Sequence, residues 1–134
     1  MTPEQRDAFL RETRIAKLAT LNADGSPSIV PVWFEWDGSQ AFVFTLDSSP
    51  KVRRIKRDAR VALSVEQPVA VREAWVTIEG TASVEPGGFE LAERLAPRYY
   101  DAERSRSALE SWAAQRDHWV VLRISPRRIR SSAP

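Results

Sequence analysis

Apolar residues recur along this chain with two different periods. Across residues 74–85, the positions Ala74, Val76, Ile78, Gly80, Ala82 and Val84 alternate with mostly polar neighbours, which is the two-residue period of a half-buried strand. Phe89, Ala92, Leu95 and Tyr99 instead return every three or four residues. That spacing sets one apolar stripe on a helix, and Pro97 limits how far the helix can run cleanly. Residues 15–21, 28–36, 40–46, 60–67 and 118–125 also read as strands, making six with 74–85. Turn formers fill residues 22–27, and Asp37-Gly38 is a strong hairpin pair, so the first third predicts a meander of three antiparallel strands.

Helix starts are marked by their caps. Thr2-Pro3-Glu4-Gln5 combines an N-cap hydroxyl, a proline at the first helical position and a capping-box glutamine, opening a helix that should end near Thr13. Ser49-Pro50 repeats the first two features. Ser107-Ala108-Leu109-Glu110 is a second capping box, predicted to open a short helix through Trp112. After residue 125 the sequence PRRIRSSAP reads as an irregular tail. The sum is a mainly β fold, a six-stranded antiparallel β-barrel with helical decoration.

One strand departs from the half-buried pattern. In residues 28–36, Ile29, Pro31 and Trp33 lie on one face while Val30, Val32, Phe34 and Trp36 lie on the other. An antiparallel strand with one solvated face would alternate. This one calls for cover on both sides, from the core and from either a second subunit or a flat ligand.

Composition narrows the chemistry. A length of 134 residues fits a single domain, 1–134, able to bury one modest core. The net charge of +2 gives no general attraction to nucleic acid or membrane, so an electrostatic function has to be local. Cysteine is absent and His118 is the only histidine, which removes disulfides, thiolate metal sites and histidine-pair metal sites; no metal is expected. As a lone histidine opening a strand, His118 reads as a structural or surface residue. No stretch is apolar enough to span a bilayer and the polar first residues do not read as a signal peptide, so the expectation is a soluble cytoplasmic protein. Seventeen arginines stand against three lysines, the bias of GC-rich genomes such as those of actinobacteria.

The local charge is easy to find. Six of the eight residues 51–58 are charged, five of them positive. Val52, Ile55 and Ala59 form the buried stripe of the helix that starts there, which leaves Lys51 and Arg54 on another side. A cation in the first turn opposes the helix dipole, at a cost of some tenths of a kcal/mol. A bound anion would reverse that sign, because free N–H groups, dipole and lysine would all face it; phosphate is the natural choice. A solvated helix face would explain the same run without any ligand.

The order LAT (18–20), DG-x-P (24–27), VPVWF (30–34), a hydroxyl-rich strand end, K-V-R-x-I (51–55) and an EG-bearing strand (79–80) resembles the flavin-reductase-like split-barrel superfamily. That group includes the pyridoxamine 5′-phosphate oxidases. Within it, the sequence is most similar to the short oxidoreductases dependent on the deazaflavin coenzyme F420. The resemblance covers residues 15–84 firmly and the rest more loosely. It implies a split barrel in which Lys51 binds the cofactor phosphate, helped by Ser49 and Arg54, with Thr45 closing the phosphate end. It implies that Val30, Pro31, Val32 and Trp33 line the ring system, and that Trp75 reaches the cofactor from the second subunit of a homodimer. The ending RRIRSSAP lacks the tryptophan-and-arginine substrate motif of true pyridoxamine phosphate oxidases, so vitamin B6 synthesis is not implied. Arg54 replaces a smaller polar residue common in relatives.

The expectation is therefore an F420-dependent oxidoreductase passing hydride to or from a small organic substrate, with FMN as the alternative cofactor. No catalytic side chain is assigned, since a reduced deazaflavin or flavin delivers hydride itself. Tyr99 and Tyr100 are candidates to donate to a substrate oxygen. A sensor or carrier that binds flavin or haem without turnover stays open. So does an interaction domain whose Arg-rich helix contacts acidic partners, but not nucleic-acid binding, which calls for aromatic residues interleaved with the basic run, where there are none.

Overall fold

Seven antiparallel strands, one more than the pattern predicts, form the sheet in the computed structural model, which describes residues 1–133. After helix α1 (Pro3–Arg11) come β1 (Ala16–Leu21), β2 (Pro27–Val32), β3 (Glu35–Trp36) and β4 (Ala41–Leu46). Helix α2 (Pro50–Arg57) leads to β5 (Arg60–Glu66) and the long β6 (Trp75–Pro86). Two helices, α3 (Gly88–Tyr99) and α4 (Ala102–Trp112), and a 3-10 stretch (Ala113–His118) precede β7 (Trp119–Ser132). Among the described residues no helix is long and apolar enough to cross a membrane.

The extra strand arises because residues 28–36 do not form one strand. Pairing breaks after Val32: β2 pairs with β1, while β3 pairs with β4. In the strand order β2-β1-β5-β6-β7-β4-β3, these sequence neighbours occupy opposite edges. Only Trp33 and Phe34 separate them, so the sheet must curl until its edges approach. The three-stranded meander is corrected accordingly. The Asp37-Gly38 hairpin pairs only Glu35 with Phe42 and Trp36 with Ala41, and β4 runs on beside β7.

The C-terminal tail is corrected too. β7 continues through Ser132, pairing with β6 as far as Trp75. Pro126 is accommodated by a register shift between Glu79 and Gly80, since a proline in a sheet needs an edge or a bulge. Gly80 is required there, because a Cβ would lie 2.0 Å from the Ser125 carbonyl oxygen.

Helix starts follow local chemistry. The Thr2–Gln5 capping box forms in full. The predicted start at Ser107 does not: Asp101 caps α4, its carboxylate accepting from the Arg104 N–H at 2.8 Å. Inside the curl, Leu18, Val43, Leu63, Val65, Val76, Ile78, Leu122 and Ile124 are fully buried, and α2 adds Val52 and Ile55. The α3 stripe of Phe89, Ala92 and Leu95 is buried as its spacing predicts.

Candidate functional site

The turn from β4 into α2 sets the site. Ser49 is the N-cap of α2 and Pro50 its first residue, but the Ser49 side chain makes no capping bond. Its oxygen instead accepts from the hydroxyl of Thr45, a buried residue, at 3.0 Å. Pro50 has no N–H and the Val52 N–H goes to the Ser49 carbonyl at 3.1 Å, so the Lys51 N–H is the first-turn donor left open, where the helix dipole favours an anion.

Lys51 stands on that first turn, half-buried and without a hydrogen bond or ion pair among the described residues. Burial holds its ammonium below the ordinary lysine range, and the positive charge of Arg54 adds to the effect. A desolvated cation with no counter-charge is an unfavourable arrangement by itself. Its neighbours are better satisfied. Arg54 Nε donates to Asn22 Oδ1 at 2.8 Å, and Arg57 donates to the Leu21 carbonyl at 3.3 Å, tying α2 to the end of β1 and the turn that follows. Arg53 reaches back to the Ser48 carbonyl at 3.4 Å, and Lys56 is exposed.

Lys51 opens onto a cleft of about 280 Å³ lined also by Pro31, Val32, Trp33, Phe44, Tyr100 and Trp112. Its wall is a linked set of rings. Trp33 stacks on Tyr99 with centroids 4.6 Å apart and planes 7° apart, and meets Tyr100 at 84° and 4.7 Å. Phe44 and Trp112 extend the wall, and the Trp119 indole N–H is fixed by the Trp112 carbonyl at 3.0 Å. The Tyr99 hydroxyl is occupied: it donates to the Arg14 carbonyl at 2.6 Å and accepts from the Phe34 N–H at 3.3 Å. Burial raises its pKa.

Of the residues singled out in the sequence, Pro31, Val32, Trp33, Lys51 and Tyr100 meet in this cleft. Val30 packs against the core from β2, Thr45 and Ser49 brace the turn behind Lys51, and Arg54 is held by Asn22. Trp75 lies elsewhere. It is 39% exposed and lines a separate cleft with Ile15, Lys17, Val69 and Val71. His118 sits on the surface with Nδ1 3.1 Å from Asp47 Oδ2. Phe44 was not marked, although Phe42 and Phe44 alternate with the buried Ala41 and Val43 and so face away from the core. Tyr100 and Trp112 reach the cleft only because α3 and α4 fold over it.

The arrangement suits a ligand with a phosphate and a flat ring system: a cation and the uncapped Lys51 N–H for the first, aromatic faces for the second. At about 280 Å³ the cleft is at the lower end of the usual ligand-site volume of roughly 300–1,000 Å³.

A sequence model of the pyridoxamine 5′-phosphate oxidase family matches residues 2–132. An F420H(2)-dependent biliverdin reductase from Mycobacterium tuberculosis is 39% identical over 79 residues, 58% of this chain and 55% of that protein. The chain thus matches about half the length of that curated relative. A conserved hypothetical protein from the same organism superposes with a TM-score of 0.78 at 26% identity, covering 99% of this chain and 85% of that one. An F420 reductase structure superposes with a TM-score of 0.76 at 22% identity, covering 92% and 94%.

Proposed function

The chain belongs to the pyridoxamine 5′-phosphate oxidase family, and from that premise we propose that it is an oxidoreductase using coenzyme F420 on a small organic substrate. The carrying observation is Lys51, desolvated and unpaired at an uncapped helix start beside an aromatic wall. The likeness to the biliverdin reductase supports the deazaflavin in particular.

When bound, the cofactor supplies hydride transfer; the protein supplies position and a dry surface. Lys51, with its ammonium and its own backbone N–H, holds the cofactor phosphate, and the Thr45–Ser49 hydrogen bond keeps the Ser49 hydroxyl from capping that N–H. Arg54, anchored on Asn22, fixes the helix rather than gripping the ligand, and contributes charge at short range. Pro31, Val32 and Trp33 flank the ring, with Val30 supporting their strand. Arg53, Lys56 and Arg57 present further cations to the carboxylates of an oligoglutamate tail, which FMN lacks.

The working form in this reading is a homodimer. In register, Pro31, Lys17, Ser64 and Thr77 cross β2, β1, β5 and β6 in one outward row, with Ile29, Ala19 and Ala62 in the next. Small side chains and the Lys17–Glu66 and Arg130–Glu79 ion pairs occupy its middle, while Ile29 at 64% exposure, Pro31 and Trp75 stand uncovered at its margins. Uncovered apolar side chains at the margins of such a face invite a second copy. Pro31 belongs both to that face and to the Lys51 cleft, so a partner seated there completes the cleft and brings its Trp75 to it.

Titration with F420 and with FMN, followed by fluorescence, tests the cofactor assignment. F420 should bind more tightly; tighter FMN binding would move the protein to the flavin-dependent alternative.

A further inference from the structure

Arg104 is a guanidinium with no acidic partner at the rim of the cleft. It lies 4.0 Å above the ring of Tyr100, the residue that lines the cleft beside Trp33 and Trp112. Among the described residues it makes no ion pair. The nearby Asp101 carboxylate caps α4 by accepting from the Arg104 backbone N–H. The Tyr100 hydroxyl also has no hydrogen-bond partner among the described residues, unlike that of Tyr99. The Tyr100 ring thus contacts both the Trp33 indole, edge to face, and the Arg104 guanidinium, face on.

We propose that Arg104, positioned by the Tyr100 ring, is a specificity residue that selects substrates bearing a carboxylate on a flat conjugated framework. This rests on the oxidoreductase reading of the same cleft. Lys51 is committed to the cofactor phosphate there, so the anionic group of the substrate needs a second cation. Arg104 is exposed, so its N–H edge is open to solvent, and it can pair two-pronged with a carboxylate while its stack on Tyr100 fixes its plane. The framework lies against Trp112 and the edge of Trp33.

Calorimetric titration with biliverdin and with its dimethyl ester tests the proposal, on wild type and on Arg104→Gln, with and without F420. The diacid should bind wild type roughly tenfold or more tightly than the ester, the scale of one charge-assisted hydrogen bond. Arg104→Gln should bind both alike, at the affinity of the ester, and bind F420 as wild type does. Tyr100→Phe should keep the preference and Tyr100→Ala should lose most of it, because the ring and not the hydroxyl positions the guanidinium. A wild type that fails to bind the diacid or does not prefer it, or an Arg104→Gln that retains the preference, overturns the proposal. If the preference depends on Arg104 but F420 does not bind, the cofactor reading fails alone. If F420 binds through Lys51 and Arg104 has no effect, the rim proposal fails alone.

Discussion

The Thr45 hydroxyl donates to the Ser49 hydroxyl across 3.0 Å, and this bond draws the N-cap side chain of α2 away from the helix it opens. Ser49→Ala should therefore destabilise the protein by about 1 kcal/mol by stranding a buried donor, not by uncapping the helix. In urea denaturation, adding Ser49→Ala to Thr45→Val should cost little more than Thr45→Val alone. Fully additive losses would mean that Ser49 acts independently of Thr45.

Adjacent tyrosines should respond oppositely to loss of the hydroxyl. Tyr99→Phe leaves the Arg14 carbonyl and the Phe34 N–H without the partner they now share, so unfolding free energy should fall by about 1–3 kcal/mol. Tyr100→Phe should change it by no more than about 0.5 kcal/mol. Equal effects would contradict the separate roles given to the two side chains.

Much of this was legible in the sequence. Five of the six predicted strands form as single strands, Val52 and Ile55 are buried as their spacing predicts while Ala59 lies beyond the helix end and is exposed, and Trp33 and Lys51 line the same cleft. The failures have local causes. Apolar residues on both faces of 28–36 masked a break at Trp33 and Phe34, where the chain passes from one sheet edge to the other. Pro126 and its arginines read as a strand end because a bulge opposite Gly80 is a property of two strands together. The box at Ser107 was a better sequence match than Asp101, yet the helix begins where α3 ends and the chain must turn. The meeting of Phe44, Tyr100 and Trp112 depends on helix packing, which no local period encodes.

A second copy should be present in solution. Light scattering at micromolar concentration should give the mass of a dimer, and Ile29→Glu, placed on the open face, should shift it toward monomer. A monomeric wild type would leave the cleft one-sided and contradict the assembly described.

Lys51 also predicts a pH response. Its pKa is lowered in the fold from the ordinary 10.5, so between the two values the unfolded chain binds the proton that the folded one has lost. Stability of the ligand-free protein should rise with pH through that window, relative to Lys51→Ala measured in parallel. A gap between the two proteins that does not change across the window would mean that the ammonium is not desolvated.

The most direct measurement is the pair of effects of Lys51→Ala on F420 affinity and on thermal stability without ligand. If the cation is there to hold the cofactor phosphate, affinity should fall by about 1.5–3 kcal/mol, the scale of a charge-assisted hydrogen bond. Without ligand, the midpoint should stay the same or rise slightly, since a cation has left a helix N-terminus. Wild-type affinity in the Lys51→Ala protein would contradict the account and leave residues 51–57 as a solvated helix face.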